Sequence, residues 1–241
     1  MNLHEDYSYI ENEDREIEIE RYLGSGDHAA VPDRIYGKPV TRIRQHAFFA
    51  ASDVIRITVP EGVRTIGEEA FAGCDSLERV VLPASLERLE KEVFLGSEKL
   101  REIAFPAGNP RYRIADGILY DAAERAIVLC PPGLEREAVS VPSGTKTVAA
   151  GAFYANRRLK MVQLPYTLKR IEANAFLFTN ALPIISLPPY IAEIEPCAFL
   201  VGSGMFAEKQ FAVYAFPNTV GYRYAVQNKI RVHPLYATVI D

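Results

Sequence analysis

The stretch from Val63 to Pro83, VRTIGEEAFAGCDSLERVVLP, decides the fold, because most of the chain is written in copies of it. Its Phe71 has counterparts at Phe48 and Phe94, then at Phe153, Phe176 and Phe199, each step within a trio being 23 residues. Pro60, Pro83 and Pro106 keep the same step, as do Pro142, Pro165 and Pro188. The residue before each Phe is Ala47, Ala70, Val93, Ala152, Ala175 or Ala198, and five residues before it stand Ile43, Ile66, Leu89, Val148, Ile171 and Ile194. Chance does not lock several registers to one period, so the chain is a repeat protein.

The end of each unit reads as a strand. Leu77, Val80 and Leu82 are apolar, and the same slots hold Val54, Ile57 and Val59, then Leu100, Ile103 and Phe105. In later copies they hold Leu159, Val162 and Leu164, then Leu182, Ile185 and Leu187. Alternation turns these inward and the residues between them outward. Proline then stops the strand, since it has no N–H for a ladder bond. The middle of the unit, Gly67 to Cys74, predicts a short helical turn with Glu68 and Glu69 at its N-terminus and the Ala–Phe pair as the inward knob. In the sixth copy Pro196 suits the first position of such a turn. A unit this short cannot bury its own apolar edge, but stacked copies share one core. Three residues after each Phe come Ala51, Cys74, Ser97, Asn156, Thr179 and Gly202, all small or polar. This slot predicts a ladder of side chains that satisfy backbone groups of the turn.

Irregular copies follow the same logic. Ala29, Val31 and Pro32 predict an early strand, Val139, Val141 and Pro142 a middle one, and Tyr214, Phe216 and Pro217 a stretched last one, with Gly202-Ser203-Gly204 as a flexible joint. About eight parallel strands at ~4.8 Å spacing make a sheet of ~35–40 Å. Between Pro106 and Pro142 the spacing is 36 instead of 23; there Ile118 to Tyr120 and Ala126 to Cys130, separated by DAAER, predict an inserted hairpin. The Glu/Ile alternation of Glu16 to Glu20 predicts a hairpin cap at the start, and YRYAVQNK from Tyr222 a helical cap at the end, followed by a closing strand at Ile230 and Val232. The expected layout is a single solenoid domain over 1–241: a cap at 1–28, first repeats at 29–106, the inserted hairpin at 107–135, later repeats at 136–217 and a cap at 218–241.

These registers resemble the BspA-like leucine-rich repeat family. The resemblance rests on IGEEAFAGCDSLERVVLP and its copies, on the DGILYD stretch opening at Asp116, and on the terminal TVGYRYAVQNKI. It implies an α/β repeat solenoid, a right-handed superhelix with one parallel β-sheet face and short helical turns on the other. It also implies the company of surface or secreted proteins linked to adhesion. The family carries no catalytic motif to transfer.

Composition narrows the function classes. Lys and Arg number 27 against 31 Asp and Glu, a net charge of -4, so no basic excess points to nucleic acid. Apolar residues make up 49% and charged residues 24%, the balance of a globular chain and not of a disordered one. No apolar stretch is long enough to span a membrane. The opening, Met1 to Glu20, lacks the basic and apolar regions of a secretory signal. The sequence as written therefore points to the cytoplasm, or to the surface or secretion if a segment precedes it.

Chemistry-bearing motifs are sparse. His4, His28, His46 and His233 are scattered without metal-ligand spacing, so no zinc site is expected. Cys74, Cys130 and Cys197 fall on different repeats and read as buried small residues with no disulfide among them, Cys197 lying near the N-terminus of a helical turn. The acidic stretch from Glu13 to Glu20 reads as the solvated face of a capping strand. No phosphate loop, nucleophile elbow or dinucleotide fingerprint occurs, so no cofactor and no metal are expected.

Function is then expected on the outward side of the sheet. Alternation places Arg56/Thr58, Arg79/Val81 and Glu102/Ala104 there in the first half, with Arg79 beside Glu102. In the second half it places Ala138/Ser140, Met161/Gln163, Ile184/Ser186 and Val213/Ala215. Met161, Ile184 and Val213, with Tyr166 and Tyr190 just past the strand ends, form a candidate partner-binding patch, because Met and Tyr suit interfaces. The expected function is a non-catalytic protein-interaction module whose partner is a protein or a second copy of the chain. A cell-surface adhesion protein and a purely structural spacer are the alternatives; an enzyme is not expected.

Overall fold

The computed structural model describes residues 2–199 and 211–236. They fall into two compact units, one running to Ala122 and including Cys130–Leu134, the other comprising Ala123–Leu129 and the chain from Glu135 onward. The expected flexible joint at 202–204 lies outside the described residues.

Each repeat turn contributes two strands, and this corrects the expectation of a single sheet backed by helical turns. In the first unit the predicted strands stack in parallel as His28–Ala30, Arg56–Thr58, Arg79–Val81 and Glu102–Ala104. A second parallel ladder joins Ile17–Tyr22, Lys38–Ile43, Thr65–Ile66 and Arg88–Leu89. The second unit repeats both patterns. Its long strands pair as Ala138–Ser140 with Met161–Gln163, and as Ile184–Ser186 with Ala212–Ala215 and Arg231–Pro234. Its short ladder runs Ala126–Leu129, Thr147–Val148, Arg170–Ile171 and Glu193–Ile194. Two residues are too few to display a period-2 pattern, so the short strands carry no sequence signal of their own.

The turns between short and long strands are not helical either. The residue two before each knob has a positive φ: His46 (57°), Glu69 (51°), Glu92 (53°), Gly151 (66°), Asn174 (56°) and Cys197 (60°). The residue two after it does the same at Ala50, Gly73, Gly96, Ala155 and Phe178. These left-handed residues break the helical hydrogen-bond path. Alternate N–H groups point along the stack instead: Phe48 donates to Ala70, Phe71 to Val93, Phe153 to Ala175 and Phe176 to Ala198, each at 2.8 Å. The remaining N–H groups close tight bonds within the turn, as from Ala72 to Glu69 at 3.1 Å. The whole turn is thereby satisfied without a helix.

The knobs form the core as the period predicts. Phe71 is fully buried, and its ring centroid lies 5.2 Å from that of Phe48 and 5.6 Å from that of Phe94. Phe153, Phe176 and Phe199 stack nearly parallel, at 4.9 and 4.8 Å. Such offset aromatic pairs add to the burial of each ring.

The three-residue slot after each knob behaves as a side-chain ladder. The Cys74 thiol donates to the Phe48 carbonyl at 3.2 Å, and the Ser97 hydroxyl donates to that of Phe71 at 2.7 Å while accepting from the Cys74 N–H. A second ladder, which the repeat pattern did not single out, lies four residues before the knob. There Glu90, Glu172 and Glu195 accept from the N–H of Glu68, Ala150 and Ala173 in the preceding repeat. A third follows the prolines, where the hydroxyls of Ser85 and Thr167 donate to Val63 and Thr145 and accept from Gly62 and Gly144.

The first unit starts with an antiparallel meander of Asn2–His4, Tyr7–Glu11 and Ile17–Tyr22. The tight hairpin near its end pairs Tyr112–Ala115 with Ile118–Asp121, a strand pair additional to the expected one. Asp116 and Gly117 both have positive φ, the geometry that an Asp-Gly turn favours, and that dipeptide was the available signal. Ala126–Leu129, the second strand of the expected hairpin, also heads the short ladder of the second unit. Among the described residues the single helix is Val220–Gln227, whose N-cap Thr219 accepts from the Tyr222 N–H.

Candidate partner-binding surface

The outward positions of the long strands differ between the units. In the first, His28, Arg56, Arg79 and Glu102 share one register, and Arg79 Nε lies 3.4 Å from Glu102. His28 Nε2 is 3.0 Å from the Thr58 hydroxyl. In the second unit the same register holds Ala138 and Met161, with Ser140 and Gln163 beside them in hydrogen-bond contact. Ile184 and Ser186 occupy the outward slots of the next long strand.

Four of the five patch residues reach the surface. Met161 is 55% exposed, Tyr166 68% and Tyr190 62%, and Ile184 is half-buried. Val213 is not part of the surface: it pairs with Ile185 and Val232 and is fully buried. The strand sits one residue out of the expected register, so Ala212 and Tyr214 take the outward slots and the Tyr214 ring meets His233 at 5.1 Å. A slip of one residue reverses every side chain in a strand. Tyr166 and Tyr190 stand at the corner where the long strand hands over to the short one, and Lys169 Nζ lies 5.3 Å from the Tyr190 ring.

Titratable groups with displaced protonation serve packing or cross-strand pairing. Burial pushes Tyr7, Tyr112 and Tyr224 up, and pushes the Cys74 thiol up to about 11. A thiol held protonated in this way is a weak nucleophile. Glu11 and Glu16 titrate below the usual carboxylate range, through hydrogen bonds from Lys38 and from Arg64 respectively. The acidic N-terminal stretch is therefore a paired strand face: Glu16 also accepts from the Thr41 hydroxyl, and Glu18 lies 3.9 Å from Arg44. Cys74 and Cys130 are buried and outside any disulfide, whereas Cys197, expected as a buried residue near a helix N-terminus, is an exposed thiol at a left-handed turn position.

Among the described residues one set of carboxylates could share a cation: oxygens of Glu68, Glu69 and Glu92 lie within 4.8 Å of one another. Glu69 already faces His46 Nε2 at 3.3 Å. The described residues include no helix long and apolar enough to cross a membrane.

Comparison with known proteins agrees with this architecture. The family model described as BspA type leucine rich repeat region matches residues 33–121 and 134–220, in six copies. Among solved structures, a leucine-rich repeat protein of T. pallidum is 23% identical with a TM-score of 0.55, over 98% of this chain and 99% of that one. The pneumococcal vaccine antigen PcpA is 17% identical with a TM-score of 0.55, over 96% of this chain and 83% of that one. A leucine-rich repeat protein of Bacteroides ovatus is 19% identical with a TM-score of 0.52, over 89% of this chain and 55% of that one. A comparison with curated proteins finds no match.

Proposed function

The chain belongs to the BspA-type leucine-rich repeat family, and from that premise we propose that it is a non-catalytic binding module whose second unit docks a protein partner. One observation carries this reading. The outward register that holds Arg56, Arg79 and Glu102 in the first unit holds Met161 and Ile184 in the second, with Tyr166 and Tyr190 largely exposed nearby. Exposed Met and Tyr, with Ser140, Gln163 and Ser186 on the same strands and Lys169 beside Tyr190, give an apolar centre with a polar rim, the composition of an interface. Stacked repeats present such a surface as a continuous strip.

The test is the double substitution Met161→Glu with Ile184→Glu in the full chain. Both side chains sit at outward positions, so circular dichroism and the unfolding midpoint should stay close to those of the parent. Capture of a partner from the native source should be lost. A folded double variant that captures the same partner equally well removes the surface from consideration, and the charged register of Arg56 and Arg79 takes its place.

A further inference from the structure

Arg125, Lys146 and Lys169 form a row along the short ladder of the second unit. The Lys146 N–H donates to the Arg125 carbonyl at 2.7 Å, and the Lys169 N–H donates to the Lys146 carbonyl at 2.8 Å. Successive strands therefore present a cation about every 4.8 Å. Arg125 and Lys169 are exposed and Lys146 is half-buried. Among the described residues none of the three forms an ion pair, although the neighbouring positions do: Arg170 contacts Glu193 at 2.9 Å, and Lys160 contacts Glu137 at 2.7 Å. The row ends against Tyr190, whose carbonyl accepts from Lys169 Nζ at 3.3 Å and whose ring lies beside it.

Several stacked charges elsewhere are neutralised across repeats, as Arg101 is by Glu78 and Arg79 by Glu102. Like charges left side by side on adjacent strands repel. An unneutralised register next to an exposed aromatic ring calls for an anion from outside. We propose that this row receives a short acidic peptide segment of the partner, a proposal that rests on the second unit being the docking surface. An extended chain advances ~3.3 Å per residue, so three cations across ~10 Å face about four consecutive residues. Two or three Asp or Glu side chains in that stretch can meet the cations while a neighbouring apolar side chain covers the Tyr190 ring. The net charge of -4 argues against a long polyanion, which the whole chain repels, whereas a short segment responds mainly to the local row.

The experiment titrates the full chain into a fluorescein-labelled peptide of six glutamates flanked by glycines, followed by anisotropy at low salt, with a six-glutamine peptide as control. The glutamate peptide should bind, the glutamine peptide should not, and Lys146→Ala with Lys169→Ala should weaken binding on the order of tenfold. Arg56→Ala, in the other unit, should leave it unchanged. Equal binding of both peptides, or an undiminished affinity in the lysine variant, overturns the proposal. Displacement of the peptide by an equimolar heparin oligosaccharide also overturns it, in favour of a sulfated glycan. The two proposals fail separately: a lysine variant that still captures the native partner, with Met161→Glu/Ile184→Glu failing to do so, removes the acidic segment and keeps the docking surface.

Discussion

The Ser97 hydroxyl spans one full repeat to donate to the Phe71 carbonyl at 2.7 Å, and the same oxygen accepts from the Cys74 N–H at 3.1 Å. A side chain of one turn thus closes the backbone of the turn before it, beneath a fully buried surface.

That bridge predicts the cost of removing it. Ser97→Ala leaves a buried N–H and a buried carbonyl without this partner, and losing such a bond costs about 1–3 kcal/mol. Chemical denaturation of the variant should show a loss in that range. Cys74→Ser, which keeps a donor toward Phe48, should cost markedly less. Equal losses from the two changes would mean that the slot is filled for its volume and not for its hydrogen bonds.

The left-handed positions make a second prediction. Ala50 has a φ of 57° and is exposed, and its counterpart one repeat on is Gly73, with a φ of 66°. A non-glycine residue in this region carries a penalty of roughly 1–2 kcal/mol. Glycine is freer in the unfolded chain and gives part of that back. Ala50→Gly should therefore stabilise the first unit by about 0.5 kcal/mol, and Gly73→Ala should destabilise it by a similar amount. The opposite signs, read from paired denaturation curves, would place the turn in a different conformation.

These turns also show what sequence reasoning reaches and where it stops. Phe71, Val80 and Leu82 were placed correctly because burial imposes a period that composition cannot hide. The left-handed residues were not, because Glu69, Glu92 and Cys197 stand where glycine would have announced them, and the hints at Gly73, Gly96, Gly151 and Asn174 do not recur at one repeat position. At the candidate surface Met161 is as exposed as alternation requires, and Tyr166 and Tyr190, just past the strand ends, are exposed as well. Val213 failed because AVYAF from Ala212 to Phe216 is apolar in both registers, so the pattern does not distinguish them. The row of Arg125, Lys146 and Lys169 spans a spacing altered by the insertion, and it comes into line only when the short ladder is known.

A third prediction concerns acid. Glu16 accepts from Arg64 at 2.7 Å and from the Thr41 hydroxyl at 2.9 Å, which holds its carboxyl below the ordinary value of 4.5. A depressed carboxyl stabilises the fold above its unfolded value and loses that contribution as pH falls through the folded value. The denaturation midpoint of Glu16→Gln should therefore lie below that of the parent at pH 7, and the gap should close below pH 4.5. A gap that stays constant down to pH 3 would mean that the Arg64 pairing adds nothing beyond the side chain's packing.

The last prediction concerns Asn109, which ends the first run of repeats by standing in for backbone. Its Nδ2 donates to the carbonyls of Pro83, Ala84 and Leu86, at 3.2, 3.1 and 2.9 Å, and its Oδ1 accepts from the N–H groups of Arg111 and Tyr112, both at 2.8 Å. Tyr112 extends the cap, its hydroxyl accepting from the Leu89 N–H at 2.8 Å. Asn109→Ala opens both sets of bonds at once and should cost about 2–3 kcal/mol. Asn109→Asp is the sharper probe. It keeps the acceptor but turns an ionised oxygen toward three carbonyls, so the folded state should favour the protonated acid. Its pKa then rises on folding, and stability contributed by the protonated form is present at low pH and lost as pH climbs through the folded value. Asn109→Asp should thus be less stable than Asn109→Ala at pH 7 and recover relative to it on acidification. An Asp variant that tracks the Ala variant at every pH would show that the three carbonyls are satisfied by water and that the amide is not the cap.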